Sequence, residues 1–379
     1  MSTRLSIAAG IILLIAGFAL IRPERPSSHA APSDNREITL SNEFQAAYGE
    51  PAISVDDSQN VLLNDPGTSL VQQRDSVAIV MRFAGDCLLG GHYERAAAED
   101  VGMAFDGFTL FLEADIALVN LENPVTTRGR KVPKTYNFRM HPRFLAALTG
   151  AGIGVVSIAN NHVFDYGSEG LFDTFLYLDS AGIRYVGAGR NITEAQRPYV
   201  FRKDSQSVGI LGYYGGGEAP GATVKRGGVA RRELATIRED VRSLHAADSL
   251  MFVVVILHWG TELAEAPDHA QRAFARALID AGVDAVIGHH PHVLQGIEKY
   301  RNGVIVYSLG NFVFGGNSRH TYTTGIFEIV LRDQQPSYRF IPIGVREWRV
   351  RVLDGKDAER VLNKVRLLSL MFPSTVFTD

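Results

Sequence analysis

The chain has 379 residues, 46% hydrophobic and 21% charged, which excludes a polar disordered chain and leaves room for one large folded domain with extensions. A formal net charge of -3 excludes the basic field of a protein that coats nucleic acid, so no nucleic-acid partner is expected. The single cysteine, Cys87, excludes an intrachain disulfide framework and any cysteine-cluster zinc or iron–sulfur centre.

Leu5 to Ile21 carries no charge and is flanked by Arg4 on one side and by Arg22, Pro23 and Arg25 on the other. It is longer than a usual signal-peptide apolar region and a little short of the ~20 residues that span a bilayer comfortably. Residues 1–22 therefore read as an N-terminal signal anchor, making a single-pass membrane protein with an extracytoplasmic body. Cleavage near Ser28-His29-Ala30 would instead release a secreted or periplasmic form. The flanking arginines are nearly balanced and leave orientation undecided, so the extracytoplasmic placement rests on the habit of such segments to initiate export. Residues 23–75, rich in Pro, Ser, Asn, Asp and Gln, read as a flexible linker with a root-mean-square reach of roughly 40 Å.

From Val77 onward β-rich runs alternate with helical patterns, so residues 76–379 form the folded domain. Strands are expected at Val77 to Ala84, Ile116 to Leu121, Ile153 to Ala159, Val208 to Tyr213, Phe252 to Leu257, Ala285 to Ile287 and Val304 to Ser308. Helices are expected at Phe105 to Ala114, Pro142 to Ala151, Ser168 to Ala181, Arg231 to Ala246 and Ala270 to Ala281. Gly150, Gly152, Gly182 and Gly282 lie near helix ends, where left-handed caps form. The alternation implies βα units and largely parallel pairing. Gly325 to Leu331 and Ser337 to Val345 read as antiparallel strands, followed by a helix from about Asp357 to Leu370.

Six strand ends carry polar residues: Gly85-Asp86, Asn120-Leu121-Glu122, Asn160-Asn161-His162, His258-Trp259-Gly260, Gly288-His289-His290-Pro291-His292 and Gly310-Asn311. In an α/β sheet, ligands bind in the crevice beyond the carboxyl ends of the strands, so parallel strands would bring these residues together. Carboxylate, amide oxygen and imidazole are the donors of a hydrolytic transition-metal site, and no thiolate is needed. Taken singly, Asp86 would as readily start a turn, and His258 reads as a polar strand end rather than a ligand. Three imidazoles around Pro291 fit metal binding better, with His289 orienting its neighbours. Asp165 and Glu262 are candidates to orient a ligand imidazole. Asn311 reads as a residue that holds its loop, and Cys87 as a small buried hydrophobe.

The ordered set FAGD, NLENP, ANNHVFDYG, HWGTE, GHHPHV and SLGNF, over roughly Val77 to Leu331, resembles the calcineurin-like metallophosphoesterase superfamily and, within it, the capsule-synthesis CapA family. The resemblance implies an α/β fold of the four-layer αββα sandwich type and one or two divalent ions, Mn, Fe or Zn. It makes Asp86 a ligand of the first ion, Glu122 the bridging carboxylate, and Asn161 and His258 ligands of the second, with His290 and His292 divided between the two. His162 takes the place of the non-ligand imidazole that acts as a general acid. The chain departs from the phosphoesterases of that superfamily at Leu88, where they have a His, and at Glu122, where their bridging residue is usually an Asp. Two functions follow as expectations for a bacterial cell-membrane protein. One is a metal-dependent hydrolase cutting a phosphoester or amide of an anionic envelope polymer, with poly-γ-glutamate the family's associated case. The other is a non-catalytic accessory of a membrane-embedded polymer synthase or export complex.

No acidic residue occurs between Asn123 and Phe164, whereas Arg128, Arg130, Lys131, Lys134, Arg139 and Arg143 are basic. The segment reads either as a solvated basic loop or as a steering surface for an anionic substrate, with Lys131, Lys134 and Arg139 as its substrate-binding candidates. Gly215 to Gly228 lacks the Gly-Lys-Ser/Thr ending of a P-loop and reads as a mobile loop near the pocket.

Overall fold

Residues 77–377 are described by the computed structural model; the expected anchor and linker lie outside the described residues. Among the described residues no helix is long and apolar enough to cross a membrane. The β-branched runs become, in chain order, β1 (Ile79–Leu88), β2 (Ile116–Leu121), β3 (Val155–Ser157), β4 (Arg184–Val186), β5 (Ala188–Gly189), β6 (Tyr199–Lys203), β7 (Gln206–Tyr214), β8 (Gly228–Val229) and β9 (Phe252–His258). Then follow β10 (Ala285–His289), β11 (Ile297–Tyr300), β12 (Gly303–Val306), β13 (Asn311–Phe314), β14 (Thr321–Arg332), β15 (Gln335–Arg346) and β16 (Arg349–Val352). The helices are α1 (Gly91–Ala96), α2 (Leu145–Gly150), α3 (Gly167–Ser180), α4 (Ile192–Ala195), α5 (Leu234–Ala247), α6 (His269–Ile279) and α7 (Gly355–Ser369).

The strands form two large sheets. The first runs β16-β15-β14-β1-β2-β3-β4, with β13 added beside β1; the second runs β11-β12-β10-β9-β7-β6. β1 to β4 are mutually parallel, as are β7, β9, β10 and β12, whereas β14 to β16 return antiparallel. The parallel strands therefore end on the same side within each sheet, which is the condition for a shared crevice.

Side-chain alternation explains the layering. Met81, Phe83, Ile116, Leu118 and Val155 of the first sheet pack in one cluster with Val254, Ile256, Ala285 and Ile287 of the second. Their neighbours point the other way: Ala117, Val119 and Val156 meet Leu148, Leu171 and Phe175 of α2 and α3, and Val253, Val255 and Val286 meet Ile237, Val241 and Leu278 of α5 and α6. A strand apolar on both faces is what a sheet buried on both sides requires. Each such Val, Leu or Ile contributes about 1.5–3 kcal/mol when fully buried. The result is a mixed α/β body in which two sheets face each other and helices cover their outer faces.

Phe105 to Ala114 does not form the expected helix. It becomes two 3-10 turns, Met103–Phe105 and Leu110–Glu113, separated at Gly107, whose φ of 68° is left-handed. The buried Phe105, Phe108 and Phe111 imitate a helical stripe because they share one core contact. Gly152, Gly182 and Gly282 have positive φ, as expected of helix-end glycines, whereas Gly150 is the last residue of α2 and keeps a negative φ. The loop expected to be mobile at Gly215 to Gly228 is tied down by Arg231, which donates to Gly216 O, and by backbone hydrogen bonds from Ala222 N to Val229 O and from Val229 N to Pro220 O.

Candidate metal centre

β1 is bent where its functional residue sits. Its pairing with β2 shifts register between Phe83 and Asp86, and its pairing with β13 shifts between Asp86 and Leu88. Gly85 permits this bulge, because a Cβ there would stand 1.9 Å from Gly310 O. The close approach lets Asp86 N donate to Gly310 O at 2.8 Å and turns the Asp86 carboxylate into the crevice. Just past β2, Glu122 N donates to Cys87 O at 2.8 Å and fixes the second carboxylate beside the first. From the other sheet, β9 ends on His258 and β10 on His289, which are direct neighbours in register. His290 and His292 follow with φ of 100° and 60°. Left-handed backbone at two histidines costs on the order of 1–3 kcal/mol each and is held only where surrounding structure imposes it.

Asp86, Glu122, Asn161, His258, His290 and His292 are thus brought together. Glu122 belongs to two donor groups, one with Asp86 and His258 and one with His290 and His292, and the donor atoms within each group lie within 4.8 Å of one another. Glu122 Oε1 is 3.6 Å from His258 Nε2 and 3.7 Å from His292 Nε2. Asp86 Oδ2 is 3.3 Å from His292 Nδ1, and Asn161 Oδ1 is 2.9 Å from His258 Nε2. Donors bound to one ion at about 2.1 Å stand roughly 3–3.5 Å apart, so the cluster has nearly the dimensions of a coordination shell. Glu122 Oε1, His290 Nδ1 and both nitrogens of His289 are buried without a hydrogen-bond partner. Unpaired buried polar atoms are uncommon, and their concentration here fits a divalent cation.

Asparagines hold the donors, two of them, Asn120 and Asn160, with roles not assigned from the sequence. Asn120 Nδ2 donates to Asp86 Oδ1 at 2.8 Å and lies 3.2 Å from His258 Nδ1, while its carbonyl oxygen accepts from Asn160 Nδ2. Asn160 Oδ1 caps the next turn by accepting from His162 N and Val163 N, which makes an Asx turn at Asn160. Asn311 Oδ1 pairs with His292 Nδ1 at 2.8 Å, leaving Nε2 toward Glu122. The signal for Asn120 was its position two residues before Glu122, on the same face of β2.

The two carboxylates are driven apart in proton affinity. Burial opposes charge on Asp86, yet its pairing with His289 and His292 holds it well below the usual carboxylate range. Burial and the neighbouring Asp86 charge push Glu122 well above its ordinary value. Burial also favours the neutral ring of His292, but the Glu122 and Asp86 charges outweigh it and raise the imidazole to about 10. Burial, then the neighbouring His290, hold His258 well below its usual value. The cluster without an ion therefore retains a proton at neutral pH, as a site built for added positive charge does.

His162 stands beside this group. Its Nδ1 is 2.7 Å from Asp165 Oδ2, which also accepts from Phe138 N, and Asp165 Oδ1 pairs with Lys134 Nζ at 2.6 Å. Burial lowers the His162 imidazole while Asp165 pulls it back up. Asp165 thus orients an imidazole, whereas Glu262, the other residue expected to do so, is exposed and makes no hydrogen bond to one among the described residues. Lys134 also donates to the Asn161 carbonyl at 2.9 Å, so its charge serves Asp165 and the loop before it could serve a substrate. Lys131 and Arg139, with Arg95, Phe138 and Tyr166, line a cavity of about 410 Å³. Phe138 separates it from His162, the two ring centroids lying 4.5 Å apart. Cys87 is buried, and burial pushes its thiol up, as a hydrophobe's environment does.

Residues 80–316, which include every donor named above, match the family described as bacterial capsule synthesis protein PGA_cap. The chain is 30% identical over 311 residues to the capsule biosynthesis protein CapA of Bacillus anthracis, an alignment that spans 78% of this chain and 74% of that one. It is 31% identical over 274 residues to the PGA biosynthesis protein CapA of Bacillus subtilis, spanning 70% and 71%. A probable polyglutamine synthesis accessory protein of Mycobacterium tuberculosis is 32% identical over 287 residues, spanning 70% and 75%. Among solved structures, the NAD nucleotidase of Haemophilus influenzae aligns over 77% of this chain and 56% of its own at 13% identity, with a TM-score of 0.43, too loose a likeness to carry a conclusion. The chain belongs to the bacterial capsule synthesis PGA_cap family.

Proposed function

We propose that this protein serves capsule or poly-γ-glutamate biosynthesis by hydrolysing a phosphoester or amide bond of an anionic cell-envelope polymer, with one or two divalent ions, Mn, Fe or Zn, at the strand ends. The observation that carries the reading is the pair of donor groups sharing Glu122, among buried atoms left without partners. The facing sheets with outer helices support a metallophosphoesterase-type αββα sandwich as its scaffold.

Asp86, Glu122, Asn161, His258, His290 and His292 would hold the metal. A divalent ion held there supplies Lewis acidity and an acidified water nucleophile. Asp165 fixes His162 through Nδ1, which leaves Nε2 as the nitrogen that passes a proton to the leaving group. Lys134 steadies Asp165 and the Asn161 carbonyl together, tying the proton-transfer residue to the donor loop. Lys131, Arg139 and Arg95, against the single carboxylate of Glu94, give the adjoining cavity a net positive field suited to an anionic chain.

The test is metal analysis of the purified full-length chain together with hydrolysis of a phosphomonoester, a phosphodiester and a γ-glutamyl amide. Metal-dependent turnover of one substrate is expected, abolished by Asp86→Ala and reduced by His162→Ala with metal retained. A metal-loaded chain that turns over none of them would discard the hydrolase.

The name of the mycobacterial relative favours a second reading, an accessory of a membrane-embedded synthase. That reading expects co-purification with membrane subunits and polymer production that survives His162→Ala. Either role suits a body held outside the cytoplasmic membrane by residues 1–22, which fusion of a periplasmic reporter after residue 75 would test.

A further inference from the structure

We infer that His289 is itself a metal ligand on the Asp86 side of the cluster, donating through Nδ1. The inference rests on the metal-binding reading above and adds a residue to it. His289 is the last residue of β10 and is 0% exposed. Its main chain is engaged: the carbonyl oxygen accepts from Trp259 N at 3.1 Å, and the residue pairs with His258 across the ladder. The imidazole is not. Neither ring nitrogen has a hydrogen-bond partner, although both are buried. A histidine kept in a core for packing satisfies at least one nitrogen, because an unbonded buried polar atom is paid for in stability.

What the ring faces is a carboxylate. Nδ1 lies 3.4 Å from Asp86 Oδ1, without the alignment of a hydrogen bond. Two donors about 2.1 Å from a common ion in tetrahedral arrangement stand roughly 3.4 Å apart. The same spacing recurs at 3.6 Å between His258 Nε2 and Glu122 Oε1, within the donor group that contains Asp86. Leu88, two residues along β1 from Asp86, is fully buried and offers no donor. His289 approaches Asp86 from the opposite sheet and can fill a coordination position that β1 itself leaves apolar.

The experiment compares the full-length protein with His289→Leu and, should the leucine variant fail to fold, His289→Asn. Each is stripped with chelator, then titrated with Mn²⁺ while bound metal, the Mn²⁺ electron paramagnetic resonance spectrum and the thermal midpoint are recorded. Loss of one bound ion, or at least a tenfold weaker affinity for it, is expected in the variant. The chelator-treated variant should be no less stable than the chelator-treated parent, since it no longer buries an unpaired imidazole. A variant whose metal stoichiometry, affinity and spectrum match the parent would overturn the role of His289 and leave the metal site standing. A parent that binds no Mn²⁺, Fe²⁺ or Zn²⁺ would overturn both together.

Discussion

At the scale of single residues, the centre is a charge problem with one missing term. Two buried carboxylates lie among four imidazoles, and the cluster resolves the conflict by keeping a proton on His292 or Glu122. His292 is raised to about 10, so at neutral pH an ion must displace a proton to reach its Nε2. Metal affinity should therefore rise as pH increases from 6 toward 9. Calorimetric titration of Mn²⁺ in buffers of different ionisation enthalpy should reveal release of about one proton per ion. Binding that takes up or releases no protons would contradict this protonation state. A second residue-scale expectation concerns Asp165. Its charge favours protonated His162, so Asp165→Asn should lower that imidazole further and move the fall in turnover to lower pH. Turnover at neutral pH should drop about 100-fold with bound metal unchanged, and loss of metal instead would make Asp165 a support of the donor loop alone.

At the scale of elements, the placement of donors depends on where strands bend and pair. Gly85 and Gly150 provide a matched comparison. Alanine at Gly85 would drive its Cβ into Gly310 O, whereas alanine at Gly150, the last residue of α2, meets nothing within 4 Å. Gly85→Ala should cost about 3 kcal/mol or more and release metal, while Gly150→Ala should be neutral or stabilise by up to about 1 kcal/mol. Denaturant midpoints of both variants check the contrast. Across the other side of β1, Glu328 on β14 accepts from Arg82 on β1 at 2.7 Å and from Arg339 on β15 at 2.9 Å, clamping three strands. Burial opposes its charge, but the two arginines outweigh burial and lower its pKa. The folded value lies below the unfolded one, so this contribution is complete above about pH 4.3 and disappears as pH falls through the folded value. Glu328→Gln should destabilise by about 2 kcal/mol at pH 7, with the gap to the parent closing in acid; a gap that stays constant to about pH 3 would remove the ionic explanation.

What was legible in the sequence divides along the same line. β9 and β10 are continuous apolar runs ending in polar residues, so local pattern marked His289, His290 and His292 at a strand end, whereas His258 stood out only in company with the other strand ends. β13 begins on Asn311 and pairs with β1, a contact between residues more than 200 positions apart that no local period reports. Asn120 and Asn160 were visible as residues but not as supports, because their roles exist only once β1, β2 and the Asn160 turn meet. Phe105 to Ala114 misled because aromatic spacing set by a shared core contact imitates a helical stripe.

At the scale of the molecule, the centre lies where two separately ordered sheets present their strand ends to each other. Asp86, Glu122 and Asn161 come from β1, the position just past β2 and the turn after β3; His258, His290 and His292 come from β9 and the turn after β10. The apolar layer between the sheets holds them face to face, but at the crevice it gives way to like-charged and unpaired groups, which weaken the contact at its functional end. A bound ion reverses that effect by making one shell of donors from both sheets. At a free concentration of 100 times its dissociation constant, an ion adds about 2.7 kcal/mol to stability. For a body of about 300 residues that corresponds to a rise of roughly 4 °C in thermal midpoint. Chelation should lower the midpoint of the parent by that amount and leave Asp86→Ala nearly unmoved. A chelator-insensitive parent would mean that the sheets need no ion to close.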